Sequence, residues 1–164
     1  MPEKQTLKRA RKDKRQGKSA STQAGEFVRE EMHHIREGKH GARSAKQAVA
    51  IGLSKARRAG VELPPPEKGT TSERTRRSAQ LALGRSRSRT KPSARRASAV
   101  RSALRREGRS AASKTALARQ ARSAARKRGA GSLKAAARKA VRTKGPAVRA
   151  AAAREAARTR SRKK

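Results

Sequence analysis

The sequence predicts an all-α protein, made of a small helical hairpin and a largely disordered, conditionally helical basic tail, with no large hydrophobic core. The formal net charge is +37 over 164 residues. The hydrophobic fraction is 32% and is mostly alanine, with aromatic residues at 1%. Chains of this composition bury too little apolar surface to form one packed core. Serine and glycine also recur at helix-length intervals, which is typical of capped helices.

The charge distribution divides the chain in two. Residues 1–69 carry 17 basic and 8 acidic side chains, whereas residues 70–164 carry 31 basic and 3 acidic ones. The division falls at three consecutive prolines, Pro64 to Pro66, which favour a short polyproline II spacer. We therefore predict a basic N-terminal arm (1–20), a helical hairpin (21–62), a Pro-rich linker (63–69) and an Arg/Ala-rich nucleic-acid-binding tail (70–164).

The N-terminal arm can form a charged helix over residues 3–16 that ends at Gly17. Its only large aliphatic side chain is Leu7. Because one such residue cannot bury a helix face, we expect this helix to be frayed or disordered until a partner neutralises its charge.

The hairpin is predicted from two apolar patterns with helical spacing. Ser21 and Thr22 offer an N-cap for a helix over 24–35, and Ser44 offers one for a helix over 45–59. The second helix carries a stripe of small residues that allows close approach of the first. The predicted packing residues are Phe27, Val28, Ile35, Val49, Gly52 and Leu53.

The tail is predicted to form five short helices. Each begins at a serine or proline, and most end at a glycine. They are predicted over 73–83, 94–107, 111–128, 133–144 and 146–160. Isolated helices of this length are marginal in water, and like charges oppose them further. We expect the tail to be disordered alone and helical when phosphates neutralise it.

Lysine and arginine in the tail are the candidate nucleic-acid-binding residues, since they neutralise phosphates and release counterions. The tail has no aromatic residue on which bases could stack, so recognition of single-stranded RNA is disfavoured and DNA is favoured over RNA. Structured RNA such as ribosomal RNA meets the same electrostatic requirement and stays a competitor. The candidates are Arg74, Arg76, Arg77, Arg85, Arg87, Arg89, Arg95, Arg96, Arg101, Arg105, Arg106, Arg109, Arg119, Arg122, Arg126, Lys127, Arg128, Arg138, Lys139 and Arg142.

Alternating Arg and Ser over residues 85–90 suggests two interpretations. Phosphorylation there would cancel nearby positive charge and act as a switch. A flexible basic linker between two helices is the interpretation that we favour.

The three histidines suggest metal binding only weakly. Glu30 and His34 are four residues apart, as are His33 and Glu37, so each pair shares a helix face. Such pairs are common without a metal, because tight transition-metal sites need ligands that converge from several elements. We predict no metal and no cofactor.

Several functional classes are disfavoured by composition. The chain has no cysteine, no P-loop glycine pattern and no carboxylate pair in a plausible pocket, so we predict that it is not an enzyme. It has no apolar run near the ~20 residues that cross a bilayer, and no membrane partner is predicted. No apolar leader follows Met1, and a cytoplasmic, nucleoid location is expected.

Residues 32–39 and 46–60 resemble an uncharacterised family of small basic bacterial proteins. That family shares a Met-His-Glu-Phe-Lys-x-Gly-Lys element and a Gln-Ala-Ile-Ala-Ile-Ala-Leu-Ser element, and some members are labelled DNA-binding. His34 stands where the family has Glu, and Ile35 where it has Phe. The resemblance implies a bacterial source and a helical hairpin. The tail is similar in composition to the basic tails of linker histones.

These patterns predict a non-specific, nucleoid-associated, histone-like DNA-binding protein. Phosphate neutralisation by a multivalent tail would compact or bridge DNA. The alternatives are a ribosome- or RNA-associated basic protein, and an interaction adaptor that acts through the 21–62 hairpin. The hairpin is also the predicted contact for a homo-oligomer or another protein partner.

Overall fold

The computed structural model describes residues 2–86 and 93–162, and all regular structure in these residues is helical. This confirms the all-α prediction. The elements are α1 (Lys4–Arg15), α2 (Ala20–Arg36), α3 (Ala45–Arg58), α4 (Glu73–Gly84), α5 (Ala94–Arg105), a 3-10 turn (Ser110–Ala112) and α6 (Lys114–Ser161). The chain forms two compact units, a first unit of residues 1–120 and a second unit of residues 121–164.

Serine side chains begin several of these helices. Ser44 Oγ accepts a hydrogen bond from the Gln47 amide at 3.2 Å, and Ser72 Oγ accepts one from the Thr75 amide at 3.3 Å. Both caps were predicted from the sequence. Helix α2 begins earlier than predicted, because its cap is Ser19, which lies ahead of the predicted Ser21 and Thr22.

Helices α2 and α3 pack closely where α3 presents a glycine. A Cβ at Gly52 would lie 2.7 Å from Val28 Cα, so the two backbones meet at that point. Phe27 and Ile35 are fully buried. Val28 and Val49 pack against the cluster that contains Ile35, and Leu53 packs against the cluster that contains Phe27. The six predicted packing residues thus lie within or beside two small apolar clusters.

Helix α1 packs against α2, which differs from the frayed arm expected from the sequence. Thr6 is fully buried and Ala10 is nearly so. Arg9 Nε lies 2.6 Å from Glu26 Oε2 on α2. Small side chains let α1 approach α2, and this ion pair offsets charge that was expected to keep the arm unfolded. Contacts of this kind leave no pattern of large aliphatic residues in the sequence.

The proline-rich segment is held against the end of α3. Arg57 is 6% exposed and donates hydrogen bonds to the carbonyls of Leu63 (3.1 Å) and Pro64 (3.0 Å). Helix α4 then packs on α3 and buries Ala79 and Ala82. The first helix of the predicted tail is therefore part of the folded first unit.

Residues 104–112 also dock on the hairpin. The Gly41 amide donates to the Leu104 carbonyl (2.8 Å), and the Ala42 amide donates to the Gly108 carbonyl (3.0 Å). Ala111 and Ala112 are buried in the cluster that contains Ile35. The prediction of a helix from residue 111 is wrong: these two alanines form the 3-10 turn, and α6 begins at Lys114 with Ser113 as its cap.

The second unit is helical, where the sequence predicted a largely disordered tail. Alanine, arginine and lysine have high intrinsic helix propensity, which favours this conformation. Helix α6 is interrupted at Gly129 (φ 73°) and Gly145 (φ 66°), the two breaks that the sequence predicted. Residues 130–132 are already helical, so the predicted start at residue 133 is wrong. No described residue of 121–162 is buried.

Candidate nucleic-acid interface

All but one of the candidate phosphate-binding side chains that the structure describes are exposed to solvent. Arg76 alone among the described candidates is half-buried, and the others are exposed. Arg87 and Arg89 lie outside the described residues, as does most of the Arg/Ser segment over 85–90. The long basic side chains therefore need no rearrangement of a core to reach a phosphate.

The second unit concentrates this charge. Residues 121–164 carry 16 lysine or arginine residues and one acidic residue, Glu155. No ion pair joins any two side chains that the structure describes between residues 121 and 162. Within the described residues of this segment the positive charge is thus not neutralised by ion pairs, and phosphate binding there would release counterions.

Basic residues recur along the helical stretches of the second unit at a spacing of four. The pairs and runs are Arg122 and Arg126; Lys134, Arg138 and Arg142; and Arg154 and Arg158. Residues four apart lie on one helix face, so each stretch presents a basic stripe flanked by alanine. Small alanine side chains beside such a stripe allow the helix backbone to approach a polyanion closely.

Basic residues of the first unit are more often paired with acids. Arg76 donates to both carboxylate oxygens of Glu73, at 3.0 and 2.9 Å. These hydrogen bonds lower the pKa of Glu73, and the same hydrogen bonds, together with the negative charge of the Glu73 carboxylate, raise the pKa of Arg76. Arg77 lies 3.6 Å from the same carboxylate. Two predicted phosphate ligands are therefore partly neutralised within the protein.

Arg109 has a different neighbour. A Cβ at Gly38 would lie 3.3 Å from one of its guanidinium nitrogens, so this side chain lies over the turn that ends α2. It remains exposed, next to the segment that docks on the hairpin.

The two predicted Glu–His pairs are not the contacts that form. Glu30 is buried and receives a hydrogen bond from the Glu3 amide at 3.1 Å. His34 Nε2 instead lies 2.8 Å from Glu3 Oε1, and His33 is exposed. Glu31 and His40, which the sequence analysis did not pair with any residue, lie 3.2 Å apart. The loop after α2 brings His40 back to this helix, and helix spacing alone does not indicate that return.

Within the described parts of the chain, no helix combines the length and the apolar character needed to cross a membrane.

Comparison with known proteins finds a similarity within the first unit of the chain. Residues 11–68 match the model of a family of unknown function (DUF6496). The match runs from the middle of α1 through the hairpin to the proline-rich segment, and it agrees with the resemblance to an uncharacterised family. The searches of curated proteins and of solved structures found no match.

Proposed function

We propose that this protein is a non-enzymatic, non-specific DNA-binding protein that neutralises phosphates and compacts or bridges duplexes in the bacterial nucleoid. The observation that supports it most directly is the composition of the second unit, which contains 16 basic residues and one acidic residue. The side chains that the structure describes there form no ion pair. A surface of this kind attracts any dense polyanion, independently of sequence.

The helical stretches supply the means of binding. Each presents a basic stripe, and an α-helix fits the major groove of B-DNA or lies along its backbone. Because no described side chain of the second unit is buried, its helices depend on helix propensity, and phosphates that screen the stripes stabilise them. Helix content is therefore expected to rise on binding.

DNA is the favoured polyanion because the chain has no Tyr or Trp and a single Phe. That residue, Phe27, is fully buried between helices and cannot stack on a base. Structured RNA remains the competing ligand.

The experiment is a salt titration of affinity for a duplex DNA and for a structured RNA of equal length, using the full chain and two variants. One variant replaces six stripe residues with Gln (Arg122, Arg126, Lys134, Arg138, Arg154 and Arg158). The matched variant replaces six exposed residues of α1 (Lys4, Lys8, Arg11, Lys12, Lys14 and Arg15), so that both lose the same charge.

We expect the stripe variant to reduce the slope of log affinity against log salt by about 5, since each phosphate contact contributes ~0.9. The α1 variant should keep most of the slope. Equal losses in the two variants would show that net charge alone acts, and tighter binding to RNA than to DNA would favour a ribosome-associated role.

A second candidate function is an interaction adaptor that acts through the hairpin. The family match supports it, since it covers residues 11–68 and stops short of the basic tail. Phenotypic rescue of a deletion strain distinguishes the two functions. The stripe variant should fail to rescue if DNA binding is the function, and should rescue if the hairpin acts by itself.

A further inference from the structure

Three metal-ligating side chains converge beside the hairpin. Glu31 and His34 lie on α2, His40 lies in the loop between α2 and α3, and one ligand atom from each is within 4.8 Å of the other two. Glu31 is fully buried, and the side chains of His34 and His40 are 13% and 17% exposed. We propose that these three residues bind one divalent transition-metal ion, of which zinc is the best fit.

The distances approach those of a tetrahedral site. His40 Nε2 lies 3.2 Å from Glu31 Oε1. Zinc bonds of ~2.0–2.1 Å at tetrahedral angles place neighbouring ligand atoms about 3.3 Å apart. Glu31 and His40 therefore need no rearrangement, and His34 joins them through a small movement of a partly exposed side chain.

The orientation of His40 supports a metal ligand. Its Nδ1 lies 3.1 Å from the Gly41 carbonyl oxygen, which can only accept a hydrogen bond. A proton on Nδ1 leaves the lone pair of the neutral ring on Nε2, directed at the Glu31 carboxylate. In this tautomer one cation can bind both Nε2 and the Glu31 carboxylate, and a backbone carbonyl behind a ligating histidine is the usual arrangement in metal sites.

The charge around Glu31 is also incomplete. Glu30 and Glu31 are both buried, and Lys55 Nζ lies 3.6 Å from Glu30 Oε1 and 2.6 Å from Glu31 Oε2. Among the described residues, neither Glu31 oxygen receives a hydrogen bond of acceptable geometry, so the close Lys55 contact is an ion pair without that alignment. Two buried carboxylates thus share one ammonium, and a cation at Oε1 supplies the missing charge.

The donor set selects the kind of metal. Two imidazoles and one carboxylate suit zinc, whereas magnesium and calcium prefer oxygen ligands alone. Three protein ligands leave a fourth position, and Glu3, whose Oε1 lies 2.8 Å from His34 Nε2, is one carboxylate close to the site. If Glu3 bound the metal at this fourth position, the metal would connect the start of α1 to α2.

The test is calorimetric titration of the tag-free full chain with Zn²⁺ in 150 mM salt, with Mg²⁺ as a comparison ion. We expect one Zn²⁺ per chain, no Mg²⁺ binding and a raised melting temperature with Zn²⁺. His34→Gln and His40→Gln should each weaken Zn²⁺ binding at least about 10-fold. His33→Gln is the matched control, since His33 is adjacent and exposed, and should bind as the wild type does.

Absence of one-to-one Zn²⁺ binding, or equal affinity in all three histidine variants, would overturn the proposal. A readout on the wild-type chain covers the case in which a ligand variant does not fold. Co²⁺ in place of Zn²⁺ should give the strong visible absorption of a tetrahedral ion, and only the weak absorption of hydrated Co²⁺ would count against the site.

Discussion

The amide of Gly41 donates a hydrogen bond to the carbonyl of Leu104 at 2.8 Å, joining the loop of the hairpin to the end of α5. A Cβ at Gly41 would overlap the Glu107 carbonyl, so this approach depends on the absence of a side chain. The hydrogen bond brings Ala111 and Ala112 onto Ile35 and completes an apolar cluster that the hairpin alone would leave open. The hairpin is therefore stabilised by residues that lie more than 60 positions after the loop they contact.

Gly41→Ala should destabilise the first unit by about 1–3 kcal/mol, since the added methyl group must displace the 104–112 segment. Thermal unfolding measures the loss, and faster hydrogen exchange at the Ala42 amide locates it. Gly25→Ala is the control: Gly25 lies in α2 with no atom near its Cβ position. That change should leave stability the same or raise it, since alanine is the better helix former. Unchanged stability in the Gly41 variant would show that the segment does not dock in solution.

Arg57→Lys should cost about 1–3 kcal/mol although it keeps the charge. Arg57 is nearly buried, burial lowers its pKa, and its guanidinium donates to two carbonyls at once. A lysine cannot make both hydrogen bonds with that geometry, and it leaves a carbonyl of Leu63 or Pro64 without a donor. Chemical denaturation measures the difference.

Arg58→Lys is the matched control for this substitution. Arg58 is exposed, and among the described residues its side chain donates only to the Ser54 carbonyl of its own helix. We expect its unfolding midpoint to equal that of the wild type. Equal losses at positions 57 and 58 would mean that the proline-rich segment is not held by Arg57.

Glu73→Gln should remove a pH-dependent part of stability. Hydrogen bonds from Arg76 lower the pKa of Glu73 in the folded chain. A lowered pKa means that the ionised carboxylate stabilises the fold above the unfolded pKa of about 4.3, and that this contribution disappears as the pH falls through the folded value. The wild type should therefore have a higher melting temperature than the variant at pH 7, and the two melting temperatures should converge at acidic pH.

Glu67→Gln provides the comparison for the pH series. It removes the same charge from an exposed carboxylate that forms no ion pair with the described residues. Its melting temperature should follow the wild type at every pH. A gap for Glu73→Gln that persists at acidic pH would assign the effect to packing rather than to ionisation.

The sequence predicts the regular parts of this fold better than its contacts. Ser44, Ser72, Gly129 and Gly145 are local signals, and each marks a helix boundary in the structure. The sequence contains no such signal for the burial of Ala111 and Ala112. Alanine is frequent throughout the chain, so its spacing carries little information.

The metal-ligating cluster shows the same limit. Helix spacing relates Glu30 to His34, but the residue that meets Glu31 is His40, nine positions later and beyond the end of the helix. Its placement depends on the turn at Gly38 and on the hydrogen bond to Gly41. The sequence signal for this tight turn was the pair of glycines, Gly38 and Gly41, that flank Lys39 and His40.

The two interruptions of α6 should respond differently to alanine. Gly129 and Gly145 both have positive φ, and no atom lies near either Cβ position, so steric clashes affect neither substitution. Alanine avoids positive φ at a cost of roughly 1–2 kcal/mol, and it favours the helix over glycine by about 1 kcal/mol. At position 129 the chain can meet both preferences by continuing the helix.

Position 145 lacks that option because Pro146 follows. Proline disfavours the helical conformation of the preceding residue and has no N–H to donate. Gly129→Ala should therefore raise the helix signal in far-ultraviolet circular dichroism, whereas Gly145→Ala should leave it unchanged or lower it. Equal gains in both variants would show that proline does not set the second interruption. If separate helices are what allows the tail to follow phosphates, Gly129→Ala should also bind duplex DNA more weakly despite its higher helix content.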